Sequence, residues 1–167
     1  IHGLGGGYAN WVFQVRYLKD QYDLLLIELP SHGRSKVKMS QLDLTTGAVS
    51  EKVMELLDEL NIEKAFFAGL SLGSLITKDI VLSYPERVEK YILIGPIGKF
   101  TLLLKFVIRL AMFLLLFAPL NFVVKLACLI IMPYKSLAYG RNLFMACAQR
   151  VERKEFIAWA KVLLSFD

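Results

Sequence analysis

The first part of the chain alternates short apolar runs with longer helical patterns, and this alternation limits the possible folds most strongly. Residues 23–29, 65–68 and 88–94 are short apolar runs. Between them, residues 49–60 and 72–84 carry apolar side chains at helical spacing. Strands that alternate with helices in this way form a parallel sheet covered by helices on both faces. We therefore predict a doubly wound α/β fold in which residues 23–29 are a strand buried on both faces.

The composition is that of one globular domain rather than a disordered or disulfide-rich chain. Of 167 residues, 56% are hydrophobic and 21% are charged, which excludes disorder. The net charge is +5, but the basic residues are scattered, which argues against nucleic-acid binding. Cys128 and Cys147 have apolar neighbours and are predicted to be small core residues. No group of side chains has the spacing of a metal site.

Residues 98–167 have a different character and are predicted to be helical. The longest uncharged run, residues 110–124, has 15 residues and includes Pro119. Because a membrane-spanning helix needs about 20 apolar residues, two amphipathic helices fit this run better. From residue 134 onward the pattern is ordinary, and five charged side chains are predicted to share a solvated face: Arg150, Glu152, Arg153, Lys154 and Glu155.

A serine flanked by glycines lies between the second apolar run and the helix that follows it, in Gly69-Leu70-Ser71-Leu72-Gly73. A sharp turn from strand to helix holds the central serine in strained geometry and exposes its hydroxyl. The flanking positions lie where strand and helix nearly collide, so glycine fits there. The Leu72 amide then lies at a helix N-terminus, which favours negative charge. A simple glycine-softened turn is the alternative, and the strand and helix on either side argue against it.

Two further loops follow predicted strand ends. Residues 1–7 (IHGLGGG) form a glycine-rich loop that can bring a backbone amide to a substrate oxygen. Phosphate is the alternative ligand, but the lysine of the phosphate-binding pattern is absent. Residues 29–35 (LPSHGRS) follow the first complete apolar run.

Together the three motifs resemble the α/β-hydrolase superfamily, in its capped, esterase-like branch. Residues 2–5 match the family's oxyanion loop, and Ser71 matches its nucleophile. Residues 30–35 match a second family loop, with the departures that Glu28 replaces aspartate and Ser31 replaces glycine. The resemblance implies a partial hydrolase core.

The resemblance also implies a division of the chain. Residues 1–97 correspond to the core, and residues 98–167 fall, by position alone, where the family inserts its helical cap or lid. We expect the remaining core strands to lie outside this sequence.

By the same resemblance, Ser71 attacks a carbonyl carbon while the backbone N–H groups of Leu4 and Leu72 bind the oxyanion. This implies a serine hydrolase that cleaves a carboxylic ester, or a related acyl bond, of a small hydrophobic substrate through an acyl-enzyme and without a cofactor. Thioesterase, carbon–carbon bond hydrolase and acyltransferase activities remain open. So does a non-catalytic binding protein on the same fold.

The base for this serine is missing from its expected place. The family order is serine, acid, histidine, but no histidine follows Ser71. His2 and His32 precede it; either is an alternative base, but a structural role is favoured for both. Asp79 is predicted to be a solvated helix residue, and Asp167 stands too early to be the family acid. We therefore expect the acid and the histidine outside this sequence, and the 167 residues alone to be inactive.

Other apolar and basic residues allow weaker hypotheses. Six side chains can touch an acyl chain, although their helical spacing favours a packing role: Trp11, Phe13, Tyr17, Met112, Phe113 and Phe117. The basic, apolar residues 100–131 can also meet a membrane surface, with Lys105, Arg109 and Lys125 near anionic lipid. The oligomeric state is open, and a cytoplasmic location is favoured over others.

Overall fold

A computed structural model of the chain describes residues 1–43, 45–96, 98 and 101–165. In these residues, two neighbouring strands form a parallel sheet: β1, Ala65–Leu70, and β2, Val88–Ile94. Their register pairs Phe66 with Lys90 and Leu70 with Ile94. The predicted strands at 65–68 and 88–94 are confirmed.

Ile1 lies on the other side of β1 from β2. Its nitrogen donates to the carbonyl oxygen of Ala68 at 2.6 Å, and its own carbonyl accepts from the Leu70 N–H at 3.0 Å. The glycine-rich loop therefore leaves the sheet at the edge where β1 ends.

Three helices belong to this first part of the chain: α1, Val12–Leu18; α2, Thr46–Glu59; and α3, Leu72–Ser83. Short 3-10 turns lie at Tyr8–Trp11, Met39–Gln41 and Pro85–Arg87. Helix α2 begins after Thr45, whose hydroxyl accepts from the Ala48 N–H at 3.1 Å and so caps the helix. The two predicted helices are confirmed as α2 and α3.

The predicted buried strand at residues 23–29 is wrong. Leu24, Leu25 and Leu26 are 37%, 43% and 37% exposed. Among the described residues, no backbone hydrogen bond joins residues 23–28 to a neighbouring strand. A strand needs such a neighbour to pair its N–H and C=O groups, and no described segment provides one.

The second part of the chain is helical: α4, Leu102–Phe117; α5, Leu120–Ile131; a 3-10 turn, Lys135–Leu137; α6, Ala138–Ala148; and α7, Arg153–Leu164. Pro119 separates α4 from α5, which confirms two helices in the apolar stretch. Within the described ranges, no helix is both long and apolar enough to cross a bilayer. Arg109 and Lys125 are exposed as expected of amphipathic helices, but most of their exposed neighbours are apolar.

One large core joins both parts of the chain. Helices α2, α3 and α7 pack with β1 around buried side chains that include Leu57, Ile76 and Trp159. A smaller cluster between α5 and α6 contains Cys128 and Ala148. The prediction for Cys128 as a small core residue is thus confirmed.

Candidate functional site

Ser71 occupies the turn between β1 and α3 in a strained conformation. Its φ is 52° and its ψ is −114°, a backbone conformation that residues other than glycine rarely adopt. Its N–H donates to the Ile94 carbonyl at 2.9 Å, and its carbonyl accepts from the Ser74 N–H at 2.8 Å. The side chain is exposed. The predicted sharp turn with an exposed hydroxyl is confirmed, while the nucleophilic role of Ser71 stays a prediction.

The two glycines of the motif are required by the close approach of β1, α3 and the chain's first residues. A Cβ at Gly69 would lie 2.3 Å from the Gly73 carbonyl oxygen. A Cβ at Gly73 would lie 2.3 Å from the Ile1 oxygen and 2.7 Å from the His2 oxygen. These neighbours are backbone atoms, which cannot move without displacing helix α3 or the loop itself. The glycines therefore let the residue 1–7 loop pack directly on the serine turn.

The glycine-rich loop lies beside Ser71. A Cβ at Gly3 would lie 3.3 Å from the Ser71 Cβ. Within the described part of the chain, neither the Leu4 N–H nor the Leu72 N–H has an acceptor. Leu72 is the first residue of α3, where N–H groups have no partner inside the helix. Two unpaired amides thus belong to segments that meet at the serine.

His2 is a fully buried part of this loop. Its Nε2 accepts from the Leu29 N–H at 3.1 Å, so its Nδ1 carries the proton and donates to the Gly3 carbonyl at 2.8 Å. Burial, aided by the neighbouring His32, lowers the pKa of His2 to about 3. His2 is therefore a neutral, structural histidine.

His32 holds the same loop from the other side. Its Nε2 accepts from the Gly5 N–H at 2.9 Å, and its Nδ1–H donates to the Pro30 carbonyl at 2.9 Å. Burial lowers its pKa to about 4. Both nitrogens of both rings are engaged with backbone groups, so neither ring is free to take a proton from Ser71. The structural roles favoured by the sequence are confirmed.

Glu28 stands where the family loop has aspartate, and Gly33 makes room for it. A Cβ at Gly33 would lie 1.9 Å from the Glu28 Oε1, and Gly33 itself has a φ of 51°. The Glu28 carboxylate accepts from the Arg34 N–H at 2.6 Å. The longer acid thus closes the turn that carries His32.

Helix α7 anchors this turn through two residues whose role the sequence did not reveal. Glu155, predicted to be solvated, is fully buried, so that prediction is wrong. Its carboxylate accepts from the Ser31 hydroxyl at 2.6 Å and from the Ser40 hydroxyl at 2.6 Å. Trp159 donates from Nε1 to the Pro30 carbonyl at 3.0 Å.

The helical period explains why Glu155 was misjudged. Residues 155, 158, 159 and 162 of α7 form one buried face, so the glutamate lies on the core side. Burial raises the pKa of its carboxyl, but the hydrogen bonds from Ser31 and Ser40 outweigh burial and lower it overall. The sequence did contain a signal for this burial, because the apolar residues 158, 159 and 162 lie on the same helix face as Glu155.

Several other candidates have different surroundings from those expected. Asp79 is half-buried and accepts a hydrogen bond from Thr46, so it joins α3 to α2 rather than being simply solvated. Tyr17 is 77% exposed, so the packing role predicted for it is wrong. Phe117 is 79% exposed and packs on the neighbouring Phe113 ring, at 5.4 Å between centroids. Phe13 is 46% exposed and contacts the Tyr139 ring at 5.5 Å between centroids. Phe113 is 56% exposed, whereas Trp11 and Met112 are half-buried. Asp167 lies outside the described residues.

A small cavity of about 100 Å³ lies behind the glycine-rich loop, between Gly7, Gly33 and α6. Cys147 and Glu28 line it, and Ser71 does not. Cys147 is half-buried, and burial raises the pKa of its thiol. In the described ranges, no three His, Cys, Asp or Glu side chains come together as a metal site requires.

Known proteins resemble this chain in sequence. The chain is 33% identical over 98 residues to the dihydrolipoyllysine-residue acetyltransferase component of the acetoin cleaving system of Cupriavidus necator, which covers 59% of this chain and 26% of that protein. It is 32% identical over 103 residues to the 2-hydroxy-6-oxo-6-phenylhexa-2,4-dienoate hydrolase of Comamonas testosteroni, covering 59% and 35% respectively.

Comparison with solved structures shows a similar fold over the whole chain. An esterase from Exiguobacterium antarcticum superimposes with a TM-score of 0.88 at 16% identity, covering 100% of this chain and 65% of that one. The chain thus spans less than two thirds of each of these three proteins. The sequence model of the alpha/beta hydrolase fold matches residues 1–122. Since this match takes in well over half of the sequence, the chain belongs to the α/β-hydrolase fold family.

Proposed function

We propose that this chain supplies the nucleophile and the oxyanion-binding amides of a serine hydrolase that cleaves a carboxylic ester of a small hydrophobic substrate. The observation that carries the proposal is the exposed Ser71 at φ 52°, with the unpaired amides of Leu4 and Leu72 on the segments that meet there. The acid and the histidine are expected outside these residues, because His2 and His32 are neutral and engaged with backbone groups.

The proposed reaction uses all of these groups. The Ser71 Oγ attacks the ester carbonyl carbon, and its proton passes to the histidine expected elsewhere in the protein. The carbonyl oxygen becomes an oxyanion, to which the Leu4 and Leu72 N–H groups donate. Loss of one such donor typically costs about 2.7–4 kcal/mol of transition-state stabilisation. The alcohol leaves with the transferred proton, and water then hydrolyses the acyl-enzyme.

The preference for an apolar substrate rests on the helices that follow β2. A Cβ at Gly5 would lie 2.9 Å from the Phe144 ring and 3.3 Å from the Ala148 Cβ, so α6 packs on the loop that contains Leu4. The apolar contacts of Phe144 and Ala148 beside the proposed oxyanion amides fit the cap or lid role proposed for residues 98–167. The core–cap boundary at 97/98 adjoins a residue outside the described ranges.

Fluorophosphonate labelling of the intact protein, read by mass spectrometry, tests the nucleophile. We expect one adduct, mapped to Ser71 and lost in Ser71→Ala. Ser83→Ala, which alters an exposed serine at the other end of α3, should label as the parent does. Labelling that persists in Ser71→Ala would contradict the proposal. A folded protein that takes no adduct and hydrolyses no ester would favour a binding protein on the same fold.

A substrate series separates the ester reaction from its sister chemistries. A rate of p-nitrophenyl ester hydrolysis that increases with the length of the acyl chain would support a hydrophobic ester substrate. Faster turnover of the matched thioesters, or transfer of the acyl group to an added alcohol, would instead assign thioesterase or acyltransferase activity. Carbon–carbon bond cleavage, named for the Comamonas testosteroni relative, is assayed separately with a vinylogous diketone.

A further inference from the structure

Helix α4 is apolar on both of its sides, although one side is exposed. The inner side packs on the core through Leu104 and Ile108, and Leu115 is fully buried. The outer side forms a continuous stripe at helical spacing: Leu102, Phe106, Leu110, Phe113 and Phe117, which are 86%, 61%, 44%, 56% and 79% exposed. A helix that is hydrophobic all round is normally buried on all sides, so this outer side calls for a partner.

Helix α5 repeats the arrangement. Its inner side buries Val124 and Cys128 against α6. Its outer side exposes a second apolar stripe: Phe122, Leu126, Leu129 and Ile130, which are 57%, 42%, 51% and 64% exposed. We call the two stripes together the α4–α5 surface.

The segment of sequence that contains the α4–α5 surface carries charges of one sign. Residues 90–151 contain eight of the chain's 20 Lys and Arg residues and none of its 15 Asp and Glu residues. Arg109 and Lys125 are exposed beside the apolar stripes. An apolar face whose own helices carry cations and no acidic side chain is the pattern of helices that lie in the interface of an anionic membrane.

The same charges argue against other partners. A second copy of this chain would bring together two surfaces whose own helices carry only cations, and like charges in contact oppose association. Neither helix can cross a bilayer, so the helices would lie along its surface. An anionic lipid surface supplies both the apolar layer for the stripes and the negative charge for Arg109 and Lys125.

We infer that the α4–α5 surface docks on anionic lipid, with its phenylalanine and leucine side chains in the acyl boundary and its cations among the headgroups. This inference does not depend on the proposed hydrolase reaction, because no residue of the Ser71 site takes part. It gives an exposed face of the helical region a role in holding the protein at a membrane surface.

Vesicle flotation of the intact protein tests the inference. Vesicles of phosphatidylcholine mixed with phosphatidylglycerol should carry the protein up the gradient, and phosphatidylcholine alone should carry little. Added salt should release it, since salt screens headgroup attraction. Phe113→Ser and Phe117→Ser should each lower the partition coefficient about tenfold, because each removes an aromatic ring that would enter the acyl boundary on binding. Arg109→Gln and Lys125→Gln should each lower it about fivefold, which corresponds to about 1 kcal/mol per cation.

Matched variants control for a general loss of apolar or basic surface. Tyr17→Ser removes an aromatic ring that is 77% exposed on α1, much like the 79% of Phe117, and should float as the parent does. Lys78→Gln removes an exposed cation from α3 and should also be neutral.

Three results would overturn the inference. One is equal flotation with neutral and anionic vesicles, and another is flotation that survives the Phe113→Ser, Phe117→Ser double variant. The third is a dimer in light scattering that Phe117→Ser dissociates in a protein that floats with neither vesicle. That result would assign the α4–α5 surface to a second copy of the chain.

Discussion

The loops around the end of β1 and the α4–α5 surface use their side chains in opposite ways. The loops bury polar groups, including His2, Ser31 and His32, and pair them at 2.6–3.1 Å. In the described part of the chain, Thr77 Oγ1 is the one buried side-chain polar atom that lacks a partner. The α4–α5 surface instead exposes large apolar groups. The loops are thus held by contacts inside the chain, whereas the outer faces of α4 and α5 can bury their apolar side chains only against a binding partner.

The comparison teaches where substitutions should matter. A buried, paired polar group leaves its partner unsatisfied when it is changed, which costs about 1–3 kcal/mol. A side chain on an exposed face has few contacts to lose, and its substitution usually changes stability by about 0.5 kcal/mol or less. Substitutions in the loops should therefore change the free energy of unfolding, and substitutions on the α4–α5 surface should change membrane partition.

The largest effect is expected at Gly73. Gly73→Ala would place a methyl group 2.3 Å from the Ile1 oxygen and 2.7 Å from the His2 oxygen, so the glycine-rich loop must shift. We expect a loss of more than about 4 kcal/mol, or no folded protein. Gly47→Ala on α2, where the nearest atom is 3.8 Å away, should be neutral or stabilise by up to about 1 kcal/mol. Urea unfolding of both variants measures this, and similar midpoints would show that the loop does not rest on Gly73.

The next effect is a dependence of stability on pH that the two buried histidines create. Their pKa values are about 3 and about 4 in the folded protein, against about 6.5 when unfolded. Above pH 6.5 both states are neutral and stability is full. As pH falls, the two histidines bind protons in the unfolded chain but not in the folded chain, so stability falls toward pH 4. Between pH 7 and pH 5 the loss should be about 2 kcal/mol per histidine.

Glutamine variants isolate this pH effect from other groups. The side-chain oxygen of His2→Gln or His32→Gln can accept the same backbone N–H without titrating. The free energy of unfolding, measured in urea between pH 7 and pH 5, should depend on pH about half as steeply in each single variant as in the parent. In the double variant most of the pH dependence should be lost. A parent slope that the double variant keeps would assign the effect to carboxylates instead.

The sequence was informative where the local pattern alone determines structure. The strands at 65–68 and 88–94, the helices α2 and α3, and the Ser71 turn all follow from spacing and from glycine positions within a few residues. The failures concern pairing across the fold. Residues 23–29 have strand composition but no described neighbour, and Glu155 contacts Ser31 across 124 positions of sequence. Neither partner can be read from local pattern.

The smallest of these effects tests to which region α7 belongs. Helix α7 follows α4 and α5 in the chain, yet Glu155 and Trp159 tie it to the turn that holds His32 and, through Gly5, the glycine-rich loop. Glu155→Gln keeps the shape of the side chain but removes an acceptor from Ser31 or Ser40. We expect a loss of about 1–3 kcal/mol in urea unfolding. Glu152→Gln is the matched control, since its carboxylate is 51% exposed in its pairs with Lys38 and Lys154 and should change the free energy of unfolding much less than Glu155→Gln does. Equal, small effects would place α7 with the exposed helices. A larger effect for Glu155→Gln would show that the loops at the end of β1 are held from the far end of the chain.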